Sequence, residues 1–390
     1  MKIAHLLLVA ILATLAHCND QVTAFSEGNL KFTSNLYKKL LETTQSSFLV
    51  SPFSIQLILA LVREGAKGKT ASEITTALDL PDVQSTHACL NDLFAVFLQK
   101  NKDLELLSSN KVFLADQFAI NKKFQTVAVD IYRAGIENID ISKPLNAAQQ
   151  INQWVESQTN KKIKDLISPR DISQSTKIIL VNTLYFNGLW QFKFTRSESK
   201  EMFYTSPTNQ IPINYLTTQS NFRYYESNQL KAKFLELPYK GTNITMTIVL
   251  PFEIDGLQSL ENNLDQLLQP QPFTEEQVLV KIPPVQVESR HDLKEILKKL
   301  GVSTLFSDIA DLGNLSPHSQ DLSVSGVIQK TFINITETGT EAAAATVVHG
   351  VLLSAYIPEA TPVNFVADHP FIYYIRLNNV TLFLGVTKQF

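Results

Sequence analysis

Cysteine is nearly absent: 390 residues contain two, Cys18 and Cys89. Cys18 lies at the end of an N-terminal apolar stretch that reads as a removable leader, which leaves Cys89 alone in the mature chain. An intrachain disulfide is then excluded, and stability has to come from packing. The seven histidines include no His-Glu-x-x-His or other metal spacing, and no Gly-x-Ser-x-Gly elbow is present. These absences favour binding or inhibition over catalysis, and no metal or cofactor is expected. Charge is sparse at 18%, with a net charge of −3. An average domain has about 25% charged residues. The basic residues are scattered, so a nucleic-acid footprint is missing; Lys161, Lys162 and Lys164 read as the solvated face of a helix. Beyond the leader, no apolar run is long enough to span a membrane. The tail Gly65-Ala66-Lys67-Gly68-Lys69-Thr70 looks like a phosphate loop, but Arg63 stands where that motif needs glycine and a helix precedes it.

What is present begins at the N-terminus. Lys2 precedes an apolar run from Ile3 to Leu15, and Ala16-His17-Cys18 supplies small residues at the positions a signal peptidase inspects. We expect a signal peptide over residues 1–18, export to the extracellular space, and one large domain over residues 19–390, since no linker or repeat divides the chain. Asn-x-Ser/Thr sequons at Asn243, Asn314 and Asn379 are glycosylation candidates, Asn314 weakened by Pro317. A fourth, Asn334, falls inside a strand pattern and is expected to be inaccessible. Cys89 sits on an apolar helical pattern with Leu93, Phe94 and Phe97, which predicts a buried, inert thiol.

Helical spacing predicts helices from Ala24 to Leu41, from Ile55 to Arg63 behind an N-cap at Ser51-Pro52, from Asn146 to Ile167 carrying Trp154, and from Leu293 to Leu300. Strand signals cover Lys111 to Ile120, Ile178 to Phe186, Phe222 to Tyr225, Phe234 to Leu237, Ile244 to Leu250, Leu279 to Ile282, Val324 to Ile335, Phe371 to Arg376 and Thr381 to Val386. Glu275-Glu276 reads as charge at a helix start. Helices gather early and strands late, which predicts an α+β fold.

One stretch contradicts itself. Val324 to Ile335 alternates like a strand, yet Ala342 to Ala345 are four of the best helix formers, and an apolar run through Ile357 ends at Pro358. A segment whose preferences fit no single state is a candidate for one that changes state.

Five stretches follow one another along the chain: Ser51-Pro52-Phe53-Ser54-Ile55, Ile151-Asn152-Gln153-Trp154-Val155, Leu180-Val181-Asn182-Thr183-Leu184, Leu235-Glu236-Leu237-Pro238-Tyr239 and Asp368-His369-Pro370-Phe371. In that order they resemble motifs of the serpin family, of an inhibitory, secreted, arthropod-like type, and the resemblance covers essentially the whole mature chain. The resemblance implies a single large domain: helices of the N-terminal half on a large mixed sheet, two smaller sheets, and an exposed reactive-centre loop over residues 337–364. It makes Glu337, Gly339, Thr340 and Ala342, Ala343, Ala344 and Ala345 the hinge. Ser51, Ser54, Asn182 and Gln329, with Trp190, become the gate at which the sheet opens. Glutamine at position 329 does not titrate, so a pH-sensitive gate there is not expected.

The resemblance further implies a suicide-substrate inhibitor whose severed hinge enters the main sheet. Counting seventeen residues from Glu337 reaches Leu353, so the attacked bond is Leu353-Ser354, with Tyr356-Ile357 as second choice and Leu352 as third. No Lys or Arg occurs from Glu341 through Ile375, so the implied partner is a serine protease with an apolar specificity pocket, chymotrypsin-like or elastase-like. Two alternatives stay open: a non-inhibitory carrier, storage protein or chaperone, and cross-class inhibition of a cysteine protease. Carriers usually have bulky or charged residues where the four alanines stand. The helix around Asp82 to Phe97 lacks a basic row, so no strong heparin effect is expected, and a monomer is.

Overall fold

The alternation from Val324 to Ile335 becomes a strand with those bounds. It does so because its two faces meet different surroundings: Val327, Ile333 and Ile335 enter the main core, while Ile328 enters a second apolar cluster on the opposite face. The computed structural model describes residues 23–97, 102–317, 321–340 and 361–389. In it, Val324–Ile335 belongs to a six-stranded mixed sheet ordered Val285–Asp292, Val324–Ile335, Gly339–Thr340, Ile178–Leu189, Leu104–Ala115 and Gly135–Ile139. A nine-stranded sheet contains the strands Ala232–Pro238, Ile244–Pro251, Phe371–Leu377 and Val380–Thr387 side by side, and a two-stranded ribbon completes the β-structure of the described residues.

The helix Pro52–Gly65 is buried almost all round, as its apolar composition requires. Ser51 caps it, its hydroxyl accepting from Ser54 N at 3.3 Å, and Pro52 fills the first turn, where a missing N–H costs nothing. Phe53, Ile55, Leu59 and Leu61 are fully covered between the two large sheets, each worth about 1.5–3 kcal/mol of burial. The opposite face of the main sheet carries the helix Pro144–Gln158, whose Ile151 and Val155 pack on Phe113, Ile179 and Val181. Alternate residues of Ile178–Leu189 therefore serve two cores: Leu180, Leu184 and Phe186 inward, Ile179 and Val181 outward.

Four sequence expectations need correction. The helix expected to reach Ile167 stops at Gln158, because Asn160, Lys161 and Asp165 take positive φ and turn the chain. Ile163, Leu166 and Ile167 still enter the outer cluster, so the apolar periodicity outlived the helix. For the same reason Lys161, Lys162 and Lys164 lie beyond the helix, not on its face. The strand expected from Lys111 to Ile120 runs instead over Leu104–Ala115. Glu275 and Glu276 sit in the strand Thr274–Ile282, paired with Arg223 and Phe222. The strand Val285–Asp292 was not anticipated. The Cys89 side chain has no exposed surface, as its apolar helical setting predicts.

Candidate functional site

Val324–Ile335 and Ile178–Leu189 are direct parallel neighbours from Val324 to Phe332, with Gln329 opposite Asn182. Beyond that point they part. Into the opening come Gly339 and Thr340, antiparallel to both: Thr340 pairs with Ile335 on one side and Gly188 on the other, and Gly339 pairs with Leu189. Gly339 and Thr340, two of the residues expected to form the hinge, thus occupy the mouth of a slot between two strands that close together below it.

The reasons are local. A Cβ on Gly339 would stand 2.1 Å from the Gly188 carbonyl oxygen, so only glycine lets the backbones approach so closely. Thr340 has no exposed surface, and its hydroxyl lies 2.7 Å from the Tyr239 hydroxyl. Trp190 holds the preceding turn at two points, its backbone N–H donating to Thr338 O at 3.0 Å and its indole Nε1 to Thr336 O at 3.1 Å. Its ring stacks on Tyr239 at 4.5 Å between centroids. Phe194 N donates to Glu337 O at 2.8 Å, and the Glu337 carboxylate pairs with Arg196. The hydrogen bond from Arg196 holds the Glu337 carboxyl below its ordinary range.

Deeper in the same slot the expected gate residues converge. The Gln329 side chain spans Ser51, accepting from its N–H at 2.9 Å and donating to its carbonyl at 3.0 Å, and it also donates to Asn182 Oδ1. The Asn182 amide donates to Ser54 O at 2.9 Å, to the Ser54 hydroxyl and to Asn110 Oδ1. Ser51, Ser54, Asn182 and Gln329 have no exposed surface, so each bond is made where an unpaired group would cost about 1–3 kcal/mol. Trp190 stands apart from this cluster, at the mouth.

Sequence reasoning missed Asn110, Tyr239, Arg196 and His291. Asn110 fell just outside the expected strand, Tyr239 was read only as the end of the Leu235-Glu236-Leu237-Pro238-Tyr239 motif with no role attached, and Arg196 and His291 carry no local signal. His291 faces Gln329 across the adjoining strand pair. It is buried, its Nε2 lies 2.9 Å from Leu49 O, and desolvation depresses its pKa. The sheet neighbour of the gate is therefore titratable, although Gln329 itself is not.

Among the described residues, no group of three or more His, Cys, Asp or Glu is arranged to hold a metal ion, and no helix is long and apolar enough to cross a membrane. Asn243, Asn314 and Asn379 are exposed. Asn334, expected to be inaccessible, is half-buried, because its side chain alternates onto the outer face of the strand. Ala342 to Ala345, Leu352, the Leu353-Ser354 and Tyr356-Ile357 bonds and residues 1–18 lie outside the described residues.

Residues 27–389 match the family model described as serpin (serine protease inhibitor). Among curated proteins, Serpin B3 of Homo sapiens is 33% identical, covering 93% of this chain and 99% of its own length. Antichymotrypsin-2 of Bombyx mori is 34% identical over 92% of this chain and 96% of its own length. Among solved structures, Serpin48 of the insect Tenebrio molitor superposes with a TM-score of 0.87 at 37% identity, covering 94% of this chain and 98% of the other.

Proposed function

This chain belongs to the serpin (serine protease inhibitor) family, which is not a family of catalysts, and we propose that it is one of the inhibitory members: a secreted suicide-substrate inhibitor of serine proteases with an apolar specificity pocket. The observation that carries the reading is the antiparallel seat of Gly339 and Thr340 between two strands that pair with each other everywhere below. A loop segment tethered there has a ready path: it displaces the parallel pairing one residue at a time.

The register supplies the rest. Continued from Thr340, it would bring Ala342 beside Phe186, Thr346 beside both Asn182 and Gln329, and Gly350 beside Ile178, where the strand begins. Insertion to the gate would break the Gln329–Asn182 bond and offer the Thr346 hydroxyl to the two freed side chains. The inserted strand would be covered on both faces along much of its length, by the main core and by the helix Pro144–Gln158. Four alanines are consistent with that demand, whereas a charged residue would lose its hydration. Cleavage after Leu353 leaves enough chain to fill the slot to its far end, and so does cleavage after Tyr356.

In the reaction, the protease serine oxygen attacks the Leu353 carbonyl carbon and the C–N bond to Ser354 breaks. The new amine leaves with a proton delivered by the protease histidine, and an ester remains. Insertion then has to outrun hydrolysis of that ester by water. With no Lys or Arg from Glu341 to Ile375, a pocket built around a carboxylate gains nothing from this loop; the name of the silkworm relative, antichymotrypsin-2, agrees with an apolar one. Incubation with chymotrypsin and with elastase tests the proposal: a complex that survives denaturing gels is expected, and a cleaved chain alone would overturn it.

A further inference from the structure

Asn334-Ile335-Thr336 is a sequon placed at the end of Val324–Ile335 nearest the slot mouth. Ile333 and Ile335 turn into the core at 1% exposure, and strand alternation sends Asn334 to the outer face with Ile328 and Phe332. The helix Pro144–Gln158 covers that face lower down, where Ile328 and Phe332 pack against its cluster. Asn334 instead lines an open cavity of about 390 Å³ bounded by Arg196, Pro284, Val285, Gln286 and Ile335. Its side-chain amide has no protein partner among the described residues, so a polar group of a β-strand is left to face open space.

We infer that Asn334 is an N-glycosylation acceptor whose glycan occupies this cavity and slows loop insertion. The modification rests on the export proposed above. The co-reactant is a lipid-pyrophosphate-linked oligosaccharide of the secretory pathway. The Asn334 amide nitrogen gives up a proton and attacks C1 of the first N-acetylglucosamine; one C–N bond forms, the C–O bond to the pyrophosphate breaks, and the lipid pyrophosphate leaves. Arg196 and Gln286 are the hydrogen-bonding groups at the cavity wall for the sugar hydroxyls.

The effect on insertion follows from the register. Thr340 faces Ile335, so on insertion in the same register the next residue to enter, Glu341, would come opposite Asn334 and on the same outer face. Antiparallel partners lie about 4.5–5.5 Å apart at Cα, so the attached sugar stands over the lane that Glu341 must take. It has to be displaced while the acyl-enzyme is exposed to water. The glycan therefore shifts the outcome from trapped complex toward cleaved chain.

The test is to produce the full chain in a eukaryotic secretory host, map glycopeptides by mass spectrometry, and measure the ratio of complex to cleaved chain with chymotrypsin. The ratio is measured for the native protein, for the folded protein after enzymatic deglycosylation, and for Asn334→Gln. A glycan on Asn334, with the ratio rising at least twofold in both glycan-free forms, is the expected result. Bare Asn334 in secreted protein that carries glycans at Asn243 or Asn379 overturns this inference and leaves the proposed inhibitor untouched. An occupied Asn334 with an unchanged ratio overturns the effect on insertion. Retention of the chain inside the cell contradicts the export on which the inference stands.

Discussion

Thr340→Arg separates insertion from every other property of the protein. Thr340 has no exposed surface, and its hydroxyl is 2.7 Å from that of Tyr239, inside the core shared by Trp190 and Phe186. Before cleavage the hinge can meet the arginine by leaving the slot mouth, which costs the Thr340–Tyr239 hydrogen bond and two short strand pairings, about 1–2 kcal/mol in all. After cleavage that escape closes, because insertion has to carry residue 340 inward first. An unpaired guanidinium in this position costs several kcal/mol; taking about 3 kcal/mol as the low end, insertion slows about a hundredfold. Hydrolysis of the acyl-enzyme is unaffected, so nearly every encounter ends as cleaved chain. The assay is a denaturing gel after mixing with chymotrypsin, with the stoichiometry of inhibition read in parallel. Thr340→Val is the control, since it removes only the hydrogen bond and keeps the complex as the main product. An unchanged complex yield in Thr340→Arg would refute the reasoning, because residue 340 would then not be entering the sheet.

Three other outcomes are expected. Gly339→Ala adds a Cβ 2.1 Å from the Gly188 oxygen, so the hinge is expelled and the variant behaves as a substrate by the same gel assay. Asn182→Ala leaves the Ser54 carbonyl, Asn110 and Gln329 each short of a buried partner; urea unfolding should show a loss of about 3–5 kcal/mol. His291 is neutral inside the fold with its pKa depressed below 6.5, so the unfolded chain takes up the proton first. Its contribution to stability is present above about pH 6.5 and falls away as the pH drops toward the depressed value, by at most about 1.4 kcal/mol per unit. His291→Gln, which can still donate to Leu49 O, should flatten that part of the stability profile; an identical profile would show that His291 does not titrate there.

How much of this was legible depended on whether the signal was local. Val324–Ile335 could be read to its end residues because each face of the strand meets its own core. Ser51 announced itself by the proline behind it. The stretch Leu104 to Asn110 gave no such signal: its first residues are half-buried, and Ser108, Ser109 and Asn110 are polar in succession. Losing those residues meant losing Asn110 from the gate. Ile163 to Ile167 misled for the opposite reason, since burial kept a helical rhythm after positive φ at Asn160 and Lys161 had ended the helix. Tyr239 and Arg196 reach the hinge from distant parts of the chain, so sequence spacing holds no trace of either contact. Asn334 was misjudged because membership of a strand was taken for burial, although alternation gives every strand a second face.

The most direct test of loop insertion is mass spectrometry of the peptide released when the protein meets chymotrypsin, paired with the denaturing gel of the same sample. A covalent complex with a released fragment whose N-terminus is Ser354 is the predicted result. Cleavage within Glu337 to Gly350, which would leave too little chain to fill the slot, or complete cleavage without any complex, would contradict it.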